Sequence, residues 1–151
     1  MVNVLAVNNY PSAERFEKLR RCLELNGAQV TVADWRGCSA SAFNRFDGVV
    51  LSGSPDMAST DAAQAKFSGE LGSIRETKAP ILGVCFGHQL VAIAFGSRVV
   101  KAVRPVVEFV RTEVTADDPL FRGLPKSMML VESRHEVVES LPRGFILIAR
   151  S

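Results

Sequence analysis

The residues with the clearest chemical meaning are Gly83-Val84-Cys85-Phe86-Gly87-His88-Gln89, where a short apolar run ends and a helical pattern begins. Glycines stand two positions to either side of Cys85, the spacing of a nucleophile elbow. On such a turn the nucleophile is held in a strained backbone conformation, and the small flanking residues let strand and helix approach closely. The N-terminus of the following helix then serves twice. Its positive end favours a thiolate, and its free N–H groups can receive a developing oxyanion. The same spacing also suits a structural cysteine in a Gly-rich turn, so a second segment has to decide between the two.

That segment is Val49-Val50-Leu51-Ser52-Gly53-Ser54-Pro55, an apolar run closed by a Gly-containing turn. In an open α/β sheet both turns fall at the C-terminal edge of the strands, where ligands bind. Acyl transfer needs converging donors at the oxyanion, and the N–H of Phe86 with that of Gly53 or Ser54 would supply them. The only imidazoles available as bases are His88 and His135.

The elements that must position these residues can be read from periodicity. Val2 to Val7 is a short β-branched strand. Phe16, Leu19 and Leu23 then recur at helical spacing between Pro11-Ser12 and Gly27, with Cys22 beside that stripe as an expected core thiol. Ala28 to Ala33, Asp47 to Leu51 and Pro80 to Val84 are expected strands, with one helical stretch from Asp61 to Lys78. The elbow helix, Phe86 to Phe95, is apolar on every side from Leu90 onward and must lie centrally. Apolar strands alternating with helices indicate a parallel sheet covered on both faces, a three-layer, flavodoxin-like α/β fold. After Gly96 the connections are too short for helical crossovers. Val106 to Thr115, Met128 to Glu132 and Phe145 to Ala149 are therefore expected as antiparallel additions to the sheet.

Composition narrows the classes. With 151 residues, 47% of them hydrophobic, the chain suits a single domain spanning 1–151 that buries ~70% of its unfolded surface without disulfides or a structural metal. Eighteen basic and sixteen acidic residues, with no basic cluster, argue against nucleic acid or a membrane surface as partner. Three widely spaced cysteines and no signal-like or bilayer-length apolar segment point to a reduced, cytoplasmic protein. No phosphate-binding or dinucleotide-binding fingerprint is present, so no cofactor is expected.

Together, Leu51-Ser52-Gly53-Ser54-Pro55, Gly83-Val84-Cys85-Phe86-Gly87-His88-Gln89 and the later Arg134-His135-Glu136-Val137-Val138 with Leu141-Pro142 resemble the class I (triad) glutamine amidotransferases, most nearly those of GMP synthase type. The resemblance implies hydrolysis of L-glutamine through a Cys85 thioester, with an oxyanion hole at Gly53, Ser54 and Phe86. It also implies that Gln89 contacts glutamine and that the backbone at Glu136 and Val137 holds its amino-acid end. The ammonia would pass to a synthase domain or subunit. Family members usually carry Gly at the position of Ser54, so a positive φ there would be strained. They also continue to a His-x-Glu pair, which the 151 residues do not include. A weakly active or inactive chain is therefore expected, with His88 and His135 as auxiliary candidates and an open sheet region covered by a second copy or a partner. Three readings stay open: a shortened amidotransferase, a non-catalytic relative that binds a small molecule or partner, and a different Cys-elbow enzyme.

Overall fold

The computed structural model describes residues 1–151. Strands β1 (Val2–Asn8), β2 (Ala28–Asp34), β3 (Gly48–Leu51) and β4 (Ile81–Gly83) form one parallel sheet in the order β2-β1-β3-β4. This is the doubly wound order of flavodoxin-like folds. In the β1–β3 register Leu5 lies beside Val49 and Val7 beside Leu51, so these four side chains share one face. That face meets Phe43 of helix α2 (Ala40–Phe43), Leu71 and Ile74 of α4 (Ser68–Glu76), and Phe86, Leu90 and Ala94 of α5 (Phe86–Ala94) in one buried cluster. Val4, Ala6 and Val50 point to the opposite face and are buried as well. Helix α1 (Ala13–Leu25) packs against β1 and β2 through the buried Phe16, which is not part of the larger cluster. The three layers expected from the alternation of strands and helices are therefore present.

Several local expectations are corrected. Cys22 is exposed rather than in the core. Phe16, Leu19 and Leu23 form a narrow stripe, and Cys22 sits about 90° around the helix from its centre, on the solvent side. The expected helix from Asp61 to Lys78 is two, α3 (Asp61–Lys66) and α4, broken at Phe67. The break drops the Phe67 ring into the core, with its centroid 4.7 Å from Trp35 and 4.8 Å from Phe86. A turn of 3₁₀-helix (Trp35–Gly37) and α2, both without a strong apolar period, fill the connection between β2 and β3.

The C-terminal strands are antiparallel, but they form a sheet of their own rather than extending the parallel one. Strands β5 (Val99–Val114), β6 (Ser127–Val138) and β7 (Ala149–Arg150) pair in the order β6-β5-β7. Of the expected strand from Phe145 to Ala149, only Ala149 joins the ladder, opposite Val114. Leu141-Pro142 with Gly144 at φ 87° turns the chain back, and the Phe145 N–H donates to the Pro142 carbonyl. Phe145 then packs on Phe95, 5.2 Å between centroids, instead of meeting a strand edge.

One buried group conflicts with an apolar core. Glu70 on α4 is 1% exposed, and its Oε1 accepts a hydrogen bond from Asn9 Nδ2 at 3.1 Å, while no cation reaches it. Burial raises its pKa from 4.5 to about 7, outweighing the Asn9 bond. The folded state therefore holds this proton more tightly than the unfolded chain. The associated stability is complete below the unfolded value and is lost as pH rises through the folded one, amounting to about 3 kcal/mol. Urea unfolding between about pH 5 and about pH 8 is expected to show this decline, and Glu70→Gln should flatten it. An equal slope in both proteins would remove Glu70 as its source.

Candidate active site

Cys85 stands at the head of α5 with φ 53° and ψ −109° and is the only non-glycine residue with positive φ. Close packing explains the glycines around it. A Cβ on Gly83 would lie 2.5 Å from the His88 nitrogen, and one on Gly87 would overlap the Leu51 carbonyl. The Val84 N–H donates to Leu51 O at 2.9 Å and the Gly87 N–H to Ser52 O at 3.1 Å, so the start of α5 is docked on the end of β3. A strained φ persists only where surrounding contacts over-determine it, and these contacts do so here. The thiol itself is exposed.

The turn after β3 lies against this elbow. A Cβ on Gly53 would collide with the Tyr10 hydroxyl and come to 3.7 Å from Cys85 Cβ, so a side chain there would have to displace the Tyr10 ring. Neither Gly53 nor Ser54 donates its N–H to a carbonyl of the chain. The first N–H groups of α5, including that of Phe86, have no intrahelical acceptor. The Phe86 side chain is buried in the core, so this residue offers the site its backbone alone. Ser54 does not have a positive φ, and the strain expected there is absent. Instead its hydroxyl donates to Asp56 Oδ2 at 2.9 Å and accepts from the Asp56 N–H at 3.1 Å, while Lys66 holds the same carboxylate at 2.7 Å.

A cleft of about 470 Å³ opens over Cys85, bordered by Tyr10, Arg15, Ser54, Gln89 and His135. A second hollow of about 500 Å³ shares Cys85 and Gln89 and runs to His88 and Val137. The two histidines thus flank the thiol from different sides. His88 is carried on α5 and is exposed, and partial desolvation lowers its pKa. His135 is carried on β6, where Lys101 faces Glu136 but Val106 faces Arg134. Residues 102–105, with Pro105 unable to donate to a ladder, bulge out of register there and leave His135 without a cross-strand partner.

Gln89 is buried and directs Nε2 to the Glu136 carbonyl at 3.5 Å. The Glu136 carboxylate, 4% exposed, accepts from the Ala58 N–H at 2.7 Å and the Ser59 N–H at 3.0 Å. It clips the antiparallel sheet to the loop before α3, so only the backbone of Glu136 is left to a ligand. Val137 is half-buried and paired with Val100. Of the positions expected from sequence, Ser54, Cys85, Phe86, Gln89, His135 and Glu136 border the first cleft, His88 and Val137 border the second, and Gly53 borders neither. Tyr10, Arg15 and Arg134, which also border the first, were not anticipated. Tyr10 follows β1 at the same sheet edge, and that placement rule alone could have pointed to it. Its burial, and then its proximity to Cys85, raise the Tyr10 pKa against the opposing pull of Arg15. No group of three or more potential metal ligands occurs, and no helix is long and apolar enough to cross a membrane.

A strained cysteine at a strand–helix elbow, facing a turn with free N–H groups at the C-terminal edge of a parallel sheet, defines an α/β protein of the cysteine-elbow class. Residues 5–151 match the family Glutamine amidotransferase class-I, and the chain belongs to that family. It is 38% identical over 104 residues to one subunit of the glutamine-hydrolyzing GMP synthase of Thermococcus kodakarensis, covering 69% of this chain and 53% of that protein. The same GMP synthase component of Methanosarcina barkeri is 39% identical over 105 residues, covering 70% and 52%. The matched segment thus spans about half the length of these relatives. Among crystal structures, a protein of this GMP synthase type from Thermoplasma acidophilum superposes with a TM-score of 0.83 at 29% identity, covering 99% of this chain and 72% of that one. A glutamine amidotransferase of Thermotoga maritima gives 0.80 at 21% identity, covering 98% and 66%, a likeness of fold.

The three thiols should differ in reactivity. Burial, with Glu70 and Asp34 nearby, pushes Cys38 up to about 12, which leaves it almost wholly protonated at neutral pH. Cys22 is exposed but has no cleft around it. Peptide mapping after limited treatment with a glutamine-mimicking chloroketone is expected to find Cys85 labelled first and Cys38 last. Preferential labelling of Cys22 would contradict the assignment of the elbow.

Proposed function

We propose that Cys85 is the nucleophile of a glutamine amide-hydrolysing site and that the ammonia released serves a synthase carried by another domain or subunit. The observation that carries this reading is the strained, exposed Cys85 held within a Cβ-contact distance of the Gly53 turn. Its sulfur attacks the side-chain carbonyl carbon of glutamine, and the N–H groups of Phe86 and of Gly53 or Ser54 receive the charge that forms on oxygen. Collapse of the tetrahedral intermediate breaks the C–N bond, and the leaving nitrogen takes up a proton and departs as ammonia. Water then adds to the γ-glutamyl thioester, releasing glutamate and restoring the thiol. In this reading Gln89 contacts the bound glutamine and the Glu136–Val137 backbone holds its amino-acid end. The likeness to glutamine-hydrolyzing GMP synthase components supports a nucleotide-forming acceptor, and the match to about half of those proteins makes that acceptor part of the proposal.

A positioned general base and acid each contribute roughly 100-fold or more, and the only imidazoles are the exposed His88 and His135. Acylation of Cys85 should therefore outpace turnover. A glutaminase assay is expected to give rates far below ~10 per second, abolished in Cys85→Ala, with thioester trapped by hydroxylamine. Turnover at ordinary enzyme rates would show that one imidazole serves as the base, and His88→Ala and His135→Ala would identify which. Failure to trap any acyl group on Cys85 would instead favour a non-catalytic relative that binds glutamine or a partner.

A further inference from the structure

Behind the Gly53 turn lies a buried polar chain that acyl transfer does not itself use. Asn9, 1% exposed, follows β1 and divides its amide hydrogens between Glu70 Oε1 at 3.1 Å and the Ser52 carbonyl at 3.3 Å. Its backbone N–H donates to Ser52 Oγ at 2.9 Å, and that hydroxyl donates to the Gly53 carbonyl at 3.0 Å. The Ser52 carbonyl also accepts the Gly87 N–H of the elbow helix. Two successive carbonyls are therefore held from the interior, that of Ser52 by the Asn9 amide and the Gly87 N–H, and that of Gly53 by the Ser52 hydroxyl that itself accepts from Asn9.

A trans peptide fixes the consequence, because its C=O and N–H point in opposite directions. With the Ser52 carbonyl turned inward, the Gly53 N–H is turned outward, and with the Gly53 carbonyl inward, so is the Ser54 N–H. The chain has no cis peptide, so the rule applies at both bonds. The direction of the oxyanion donors is set from behind, by what holds the carbonyls. Asn9 can hold the Ser52 carbonyl only with its NH₂ facing that way. An amide flip would set Asn9 Oδ1 against the carbonyl oxygen, and Glu70, by taking the other amide hydrogen, opposes the flip.

We propose that Glu70 and Asn9 are positioning residues for acyl transfer, clamping the Ser52 and Gly53 carbonyls so that the Gly53 and Ser54 N–H groups face the substrate oxygen. Oε2 of Glu70 and Oδ1 of Asn9, both buried without a partner, mark the pair as a costly feature in an otherwise apolar layer. Such a feature is more readily understood if it orients something than as packing alone. The proposal rests on the reading of Cys85 as an acyl-transfer nucleophile.

The test compares two reagents on Cys85 in the full chain. A glutamine-mimicking chloroketone passes through an oxyanion, whereas iodoacetamide alkylates by direct displacement and needs no oxyanion hole. Glu70→Leu and Asn9→Ala are expected to slow the chloroketone by about tenfold or more while iodoacetamide stays within about twofold, and Glu70→Gln, which keeps the acceptor for Asn9, should restore the chloroketone rate. Equal slowing of both reagents, or none in either folded variant, overturns the proposal. Should Glu70→Leu not fold, Asn9→Ala carries the same comparison. Amide hydrogen exchange at Asn9 and Gly87 supplies a second measure. In both Glu70→Leu and Asn9→Ala it is expected to quicken there and not in the β5–β6 ladder. If the unaltered chain shows no chloroketone preference for Cys85, the acyl-transfer reading fails. Unchanged exchange in the variants would separately remove the clamp.

Discussion

The site depends on one backbone conformation, the positive φ of Cys85. A cysteine gains nothing locally from that region and pays about 1 to 3 kcal/mol to occupy it. It is held there because α5 is pressed onto the end of β3 so closely that Gly83 and Gly87 have no room for a side chain, and because the Val84 and Gly87 N–H groups bond to Leu51 and Ser52. The same compression goes with an exposed thiol and a Phe86 N–H that has no acceptor in the chain. The exposure of the thiol and the packing of the elbow are here one feature.

Ser52 is where the separate parts of the chain are tied together. Its N–H bonds to Val7, its carbonyl takes Gly87 and Asn9, and its hydroxyl joins Asn9 to Gly53. β1, the turn after β3 and the elbow helix thus meet at one fully buried residue, with α4 reached through Glu70. A turn built this way has little freedom to drift, because its backbone is held by bonds from the interior of the protein.

The antiparallel sheet supplies the other wall of the cleft. Glu136 fastens it to the Ala58–Ser59 loop, and the bulge at residues 102–105 leaves His135 out of the ladder at the border of the cleft over Cys85. Away from the cleft the same sheet is less well covered. Val107, Phe109, Met129 and Val131 are each more than half exposed, and Phe109 lies directly opposite Val131. Contiguous apolar surface of this kind is uncommon on a protein that works alone.

Much of this was legible in the chain itself. The glycines at 83 and 87 around Cys85 have a steric meaning independent of context, and apolar runs alternating with helical periods lead to a parallel three-layer sheet because only crossovers return the chain in the same direction. Gly53, Ser54 and Phe86 could be placed near Cys85 from the common sheet edge on which their turns must lie, whereas Gln89 was implied only by the family resemblance. What stayed hidden was set by contacts between residues far apart in sequence. Glu70 and Asn9 are 61 positions apart and Glu136 and Ala58 are 78 apart, and no local period marks either pair. Cys22 escaped the core because the width of a buried stripe is decided by the neighbour it meets, and Phe145 to Leu147 formed no strand because no free edge reached them. Periodicity reports which face of an element is apolar. Only the assembled fold determines how much of that face is covered and which buried polar atoms find one another.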